Sequence, residues 1–308
     1  MKTIVKVLHE GLCIFLLLIL AGQAAFSQET IEVTNIQALM SKGTQTCYMV
    51  EIHQADLNTV QQNWIKKLQA GGKVKVKEIN QELVLSGVVK NELTSDTVNI
   101  YSLLIQKEEK IALNVFVEID SVFFSPKDDK RDLASDKIDN GIKNYVRSFA
   151  VEQYKLAVAS ELEGEQKVLK TMQNDLEKLE KDEENMTKEI SSLENDIEET
   201  EREISDIEKN IDLKNQEILT HNASMLTISG EVEKKAAKEK QKELEKEKNQ
   251  LEKSRSKAKD DISSYKSDIE KNNKEIEDGK ILQEEKTEEI AKQNEVITQV
   301  QAKLDGIK

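Results

Sequence analysis

A seven-residue repeat of apolar side chains over the C-terminal half of the chain constrains its fold more than any other feature. In heptads written abcdefg, position a recurs from Leu169 to Val232 and position d from Met172 to Ile228 in one phase. Four polar residues interrupt this seam: Glu183, Thr200, Lys214 and His221. A heptad repeat of this length with charged flanks predicts a coiled coil.

A second heptad repeat runs from Ala237 to Ile307 and is out of phase with the first. The first repeat would place an a position at residue 239, whereas the second places it at residue 241. A shift of two is neither the insertion of four nor that of three that a continuous coiled coil tolerates. The two repeats therefore predict an antiparallel hairpin, with arms at about 161–228 and 232–308.

Antiparallel pairing of the two repeats predicts specific layers. Ile218 would face Leu244, and Ile211 would face Leu251. Gly230 lies at the midpoint and is the predicted hairpin turn, because glycine is favoured just past a helix end. The alternative is a parallel dimer or trimer of continuous helices, since Ile at a with Leu at d favours parallel pairing.

Two of the predicted layers are polar. His221 would meet Gln241, and Lys214 would meet Lys248 with both lysine stems extended towards solvent. Polar residues on such a seam usually fix register or partner number.

Residues 44–160 predict a small α+β head domain. A strand at 44–53 precedes a helix that Asp56 can cap, and Gly71-Gly72 can end that helix. Further strands are predicted at 73–79, 82–89, Val98–Ile105 and Ile111–Asp120, followed by a helix that begins near Asp136. This order predicts an antiparallel sheet with helices on one face. Residues 28–43 form a lead-in segment, with a short edge strand at Ile31–Val33.

The strand Ile111–Asp120 alternates between apolar and polar residues. Its apolar side chains would face the helices, whereas Asn114, Glu118 and Asp120 would face water. Such alternation is typical of an antiparallel strand with one solvated face.

The first 27 residues read as a signal peptide. Lys2 and Lys6 precede an apolar run from Gly11 to Gly22, and small residues at Ala25 and Ser27 allow cleavage before Gln28. The apolar run is shorter than the roughly 20 residues of a membrane span, although an uncleaved anchor is the alternative. The segment predicts export to the periplasm or cell envelope of a bacterium, or secretion.

The charge of the chain bears on its partners. The formal net charge is −14, and 34% of the residues are charged. Nucleic-acid binding usually needs a basic patch, so we expect no nucleic-acid partner. We expect membrane contact only if the N-terminal segment stays attached, and otherwise a protein partner or self-association through the coiled coil.

The sequence nominates no catalytic, cofactor-binding or metal-binding residues. His53 lies at a strand end near Asp56, but no further ligands accompany it in the sequence. Cys47, the one cysteine after the signal peptide, reads as a small apolar residue in a strand, with intermolecular pairing as the alternative. Phe123-Phe124 follows the last strand, and the pair is either a cap on the sheet core or an exposed contact for a partner.

The residues Met40-Ser41-Lys42-Gly43, Trp64 and Thr97-Val98-Asn99-Ile100-Tyr101 carry a resemblance to exported bacterial proteins with a small α/β head and a C-terminal coiled coil. That family supplies no established activity. The chain also resembles hairpin-bearing periplasmic chaperones or adaptors, but it is acidic and no strand follows the coil.

Together these features predict a protein that is not an enzyme and that acts as an envelope scaffold, spacer or adaptor. One alternative is a holdase chaperone that grips unfolded clients between the coiled-coil arms. Another is a hydrolase with its site in the head, which would require a deep pocket lined by converging polar residues.

Overall fold

The computed structural model describes residues 30–126 and 133–308, which form two compact units. The head unit holds the described residues up to Val168 together with Gln293–Lys308, and the coil unit is Leu169–Lys292. The predicted signal peptide, residues 1–27, lies outside the described residues.

Within the described residues, the head contains a seven-stranded antiparallel sheet with the order β1-β2-β6-β5-β4-β3, and β7 pairs with β6. The strands are β1 (Thr34–Met40), β2 (Gly43–His53), β3 (Lys77–Ile79), β4 (Glu82–Lys90), β5 (Thr94–Lys107), β6 (Lys110–Ile119) and β7 (Val122–Phe123). The helices are α1 (Leu57–Gln69), α2 (Leu133–Met225) and α3 (Glu231–Gly306). The predicted α+β head followed by a long helical region is confirmed.

The first helix forms as its capping residues predict. The Asp56 carboxylate accepts a hydrogen bond from the Thr59 backbone N–H at 2.8 Å, which satisfies one of the free donors of the first turn. Gly71, with φ of +74°, follows the last turn in a conformation that other residues rarely adopt. The predicted edge strand at Ile31–Val33 is wrong in position. The strand that precedes β2 runs over Thr34–Met40.

The main core of the head lies between one face of the sheet and the helices. Trp64 of α1 packs against Phe149 of α2, with ring centroids 4.7 Å apart. Val300 of α3 and Ile307, which follows the end of α3, are buried in the same core. The last residues of the chain therefore complete the head, whereas the sequence assigned all of 161–308 to the coiled coil.

The second face of the sheet is not the solvated face that the alternation predicted. Asn114 and Glu118 are each 6% exposed, and Phe116 between them is fully buried. Met40 and Cys47, from the hairpin of β1 and β2, form a second apolar cluster with Phe116 and its neighbour on β5. The hairpin thus covers this face of β6, although Asp120 remains exposed as predicted.

The coil unit is an antiparallel pair of helices. Ion pairs join Lys214 to Glu247 at 2.9 Å and Glu208 to Lys259 at 3.7 Å. Residues closer to the end of the first arm therefore pair with residues closer to the start of the second, so the two helices run in opposite directions. Every predicted a and d position from Leu169 to Ile228 is partly or fully buried, including the four polar ones. The arm 169–225 is roughly 85 Å long at about 1.5 Å per residue.

The hairpin turn lies where it was predicted, but Gly230 has a different role in it. The first arm ends at Met225 and the second begins at Glu231. The Gly230 carbonyl accepts a hydrogen bond from the Lys234 backbone N–H at 3.0 Å, so Gly230 caps the start of α3. The φ of Gly230 lies outside the left-handed region that a glycine often adopts just past a helix end. Gly230 therefore does not terminate the first arm in the way that the sequence predicted.

Two glycines of α2 should respond in opposite directions to replacement by alanine. A Cβ at Gly141 would lie 2.9 Å from the backbone oxygens of Glu92 and Leu93, whereas one at Gly164 would meet nothing within 4 Å. We expect Gly141→Ala to lower the free energy of unfolding by about 1–3 kcal/mol. Gly164→Ala should raise it by about 0.5–1 kcal/mol. Urea unfolding followed by circular dichroism measures both, and destabilisation by Gly164→Ala would contradict the open environment described for it.

The stability of the coil should depend on its seam. Leu244 is buried between the arms, whereas Leu219 on the outer surface is exposed. We expect Leu244→Ala to lower the free energy of unfolding by about 2–4 kcal/mol, and Leu219→Ala to change it by less than about 0.5 kcal/mol. Thermal unfolding monitored at 222 nm compares the two, and equal effects would mean that Leu244 does not lie between the arms.

Candidate functional site

The turn between β1 and β2 is fixed by two buried carboxylates. The Glu82 carboxylate accepts hydrogen bonds from the Ser41 backbone N–H at 2.5 Å and from the Ser41 hydroxyl at 2.6 Å. The Glu118 carboxylate accepts from Lys42 Nζ at 3.0 Å. We call the residues that meet here the hairpin clamp: Ser41, Lys42, Glu82, Asn99, Tyr101 and Glu118.

Glu118 is the centre of the hairpin clamp. It also accepts hydrogen bonds from Asn99 Nδ2 at 3.0 Å and from the Tyr101 hydroxyl at 2.9 Å. Burial alone would raise the pKa of Glu118, but the hydrogen bonds from Lys42, Asn99 and Tyr101 outweigh burial, and the pKa is lowered. Hydrogen bonds to Tyr101 and Glu118 raise the pKa of Lys42. Both groups are therefore charged at neutral pH, and Glu118 acts as a fixed acceptor.

Phe123 belongs to the same part of the head, whereas Phe124 does not. Lys42 Nζ lies 4.8 Å from the centroid of the Tyr101 ring and 5.6 Å from that of Phe123. Phe124 packs against the main core, and its backbone N–H donates to the Val117 carbonyl at 2.9 Å. Both rings are half-buried in separate clusters, and a partner contact through Phe123 or Phe124 stays a prediction.

The hairpin clamp brings together residues that the sequence analysis did not connect. Two of the segments that carried the family resemblance, Met40–Gly43 and Thr97–Tyr101, meet at Glu118. The available signal was the position of Glu118 among apolar residues of a strand, which sequence reasoning interpreted as solvent exposure. In chemical terms the clamp holds a charged turn over the sheet.

The polar residues of the coil seam are hydrogen-bonded or ion-paired. Lys214 Nζ pairs with Glu217 at 2.6 Å and with Glu247 of the other arm at 2.9 Å. His221 Nε2 lies 2.9 Å from the Ala237 carbonyl oxygen of the other arm. The predicted layers of Lys214 with Lys248 and of His221 with Gln241 stay predictions. These contacts satisfy polar groups within the seam and help to hold the two arms in one register.

Asn272 is a polar seam residue that the sequence analysis missed. It is buried, and its Nδ2 has no hydrogen-bond partner among the described residues. Asn272 continues the seven-residue spacing of Ala258 and Tyr265, which is the signal that would have found it.

The tip of the coil exposes apolar side chains. Leu226 is 89% exposed and Val232 is 85% exposed, on either side of Gly230. Residues 218–230 contain no Asp, Glu, Lys or Arg, although 34% of the whole chain is charged. The tip is therefore the least charged part of the coil surface, and exposed apolar residues of this kind are candidates for contact with another protein.

Two candidates from the sequence remain, His53 and Cys47, and Cys47 belongs to the same apolar cluster as Tyr101 of the hairpin clamp. The ring of His53 packs 5.6 Å from that of Tyr154. Cys47 is buried, and burial raises the pKa of its thiol to about 11, so the thiol stays protonated. Among the described residues, no three side chains of His, Cys, Asp or Glu are grouped as metal ligands would be. In the same part of the chain, no helix has both the length and the apolar character of a membrane span.

Comparisons with protein-family models, with curated proteins and with solved structures find no match to this chain. A functional proposal therefore depends on the geometry of the hairpin clamp, the coil seam and the coil tip.

Removal of the Glu118 charge should destabilise the head in a pH-dependent way. Because folding lowers the pKa of Glu118 below the ordinary glutamate value of 4.5, its contribution to stability is present above that pH and is lost as pH falls through the folded pKa. We expect Glu118→Gln to lower the free energy of unfolding by about 1–3 kcal/mol at pH 7, and by progressively less below pH 4.5. Urea unfolding at a series of pH values measures this difference.

Glu51→Gln is the matched control for this experiment. Glu51 pairs with Lys107 and Lys110 at the surface, at 3.4 and 3.3 Å. Exposed ion pairs of this kind contribute about 0–1 kcal/mol. If the two variants lost the same small amount of stability, Glu118 would not hold the hairpin.

Proposed function

We propose that the chain is a non-enzymatic, exported scaffold or adaptor of the bacterial envelope, in which the head docks and the coiled-coil hairpin sets a distance. Export is proposed from the sequence of residues 1–27. The proposal extends the resemblance to exported proteins that join a small head to a coiled coil.

The observation that carries this proposal is that the apolar seam of each arm packs against the seam of the other arm. Leu244 and Ile211 are buried between the arms, and Lys214 is paired with Glu247 across them. The outer faces carry solvated ion pairs such as Lys188–Glu184 and Arg202–Glu198, at 2.6 and 3.2 Å. A paired coil of this kind resists bending better than a single helix and stays soluble, which suits a spacer.

The most exposed apolar side chains of the coil unit lie at its tip. Leu226 and Val232 are almost fully exposed, and neither contributes to the pairing of the arms. An adaptor needs a contact surface for its partner, and a tip with two exposed apolar residues beside an uncharged stretch at 218–230 supports such a contact. This is the coil surface that we expect a protein partner to bury.

Affinity capture of the full chain from its own cells tests the proposal. We expect wild type to recover one protein partner in stoichiometric amount, and the double variant Leu226→Ser, Val232→Ser to lose it by about tenfold or more. Leu282→Ser is the matched control, because Leu282 is also exposed but lies on the same arm about 50 residues from the tip. Quantitative mass spectrometry of the captured material measures the ratio.

Three results would contradict the scaffold proposal. One is capture of the same partner by wild type and by the tip variant in equal amounts, together with loss of binding in Leu282→Ser. Another is recovery of many unrelated unfolded proteins, which would favour the holdase alternative. The third is a mature chain that begins at Met1 and is retained in the cytoplasm, which would remove export.

A further inference from the structure

The outer edge of strand β1 is open. Within the described residues, β1 pairs with β2 alone and stands at one end of the strand order. The pairing of β1 with β2 runs without a register shift from Thr34 to Met40. The free side of β1 therefore presents a regular row of backbone donors and acceptors that another strand can use.

The sequence of strand β1 itself carries none of the features that usually protect an edge strand against pairing. Thr34–Met40 contains no charged residue and no proline, and Leu39 is 75% exposed. Proteins commonly protect open edges with lysine, proline, bulges or very short strands. The opposite edge strand, β3, is protected in this way, because it has three residues and carries Lys77 and Glu78.

The segment that leads into β1 is held in place before any partner arrives. Ile31 is buried in the main core, and its carbonyl accepts a hydrogen bond from Arg147 Nε at 2.9 Å. At the other end of β1, the hairpin clamp fixes Ser41 and Lys42. An edge strand that is ordered at both ends loses little entropy when it pairs, which favours association.

We infer that β1 pairs antiparallel with β1 of a second copy of the chain, centred on Gln37. Gln37 is the middle residue of the strand, so this register uses all of Thr34–Met40. Beyond the strand itself, this register brings Glu32, which precedes β1, towards the end of the second copy's strand where the turn residue Lys42 lies, and the two-fold axis repeats this approach of opposite charges. Lys42 keeps its ion pair with Glu118 at 3.0 Å, and its side chain is 45% exposed, so a second carboxylate can approach it from solvent.

The side chains of the strand are compatible with that register. Leu39 would lie opposite Asn35 of the second copy, and Ile36 opposite Ala38, so no like charges meet. The exposed side chain of Leu39 would be partly covered. This dimer is formed by the head, and it does not depend on the proposed scaffold function or on the coil.

Charge substitution at the symmetry centre tests the dimer and its register together. In the proposed register each Gln37 faces the other, so Gln37→Lys puts two lysines opposite each other and Gln37→Glu puts two carboxylates there. We expect the full-length wild type to sediment as a dimer, and each variant alone to dimerise about tenfold more weakly or worse. An equimolar mixture of the two variants should restore dimers. Sedimentation velocity over a concentration series measures the three dissociation constants.

The controls separate the edge from the rest of the molecule. Both variants lose the hydrogen bond from Gln37 Nε2 to the Thr46 hydroxyl, so that shared loss cannot explain recovery on mixing. Ile79→Lys places the same charge on the exposed residue of the other edge strand and should leave dimerisation unchanged. Circular dichroism melting of each variant establishes that the fold is retained.

A covalent readout covers the case in which the charged variants fold poorly. Directly opposed residues of antiparallel strands have Cα atoms about 4.5–5.5 Å apart, within the range that a disulfide spans. Gln37→Cys should therefore give a disulfide-linked dimer on mild oxidation, whereas Ile79→Cys should not, and Cys47 is buried. A monomeric wild type, a dimer insensitive to Gln37→Lys, or an edge occupied by an extended segment of another protein would each overturn the inference.

Discussion

The burial of one apolar seam against another is the interaction on which the coil depends. Either arm alone would expose its apolar stripe to water, and helices with this many charged residues gain most of their stability from packing. In the paired arms, Ile211 and Leu244 are removed from solvent. Within the head unit, α2 and α3 are also joined, because Gln293 Nε2 donates to the Glu165 carboxylate at 2.6 Å.

The seam could be predicted from the sequence because heptad periodicity is a local property. Even the polar positions Glu183 and Lys214 are turned towards the opposite arm, as the repeat requires. The partners of these polar residues could not be predicted in the same way. A long side chain reaches several residues along the facing helix, so Lys214 selects Glu247 over the like charge at Lys248. The register determines which helical turns of the two arms face each other. Side-chain length and charge then determine which atoms form contacts.

The hairpin clamp could not be predicted, because its parts are far apart in sequence. Alternation along β6 correctly placed Glu118 on the face opposite to the main core, but it carries no information about what covers that face. The cover comes from the β1–β2 hairpin, which brings Lys42 to Glu118 across 76 positions of sequence. The sequence predicted buried and exposed side chains correctly only for the face of the sheet that the helices cover. A buried polar cluster between strands depends on contacts that only the folded chain defines.

The burial of Val300 and Ile307 in the head core has a consequence for how such a chain can change length during evolution. The start of α2 and the end of α3 both belong to the head unit. The two ends of the coiled-coil segment are therefore anchored in one folded unit. An insertion in one arm alone would put every later layer out of step and pull the returning helix from its place. Length variants among descendants of this gene should therefore carry compensated changes in whole heptads on both sides of the turn. Related hairpins of different length should therefore differ by insertions or deletions in both arms together, and not in one arm alone.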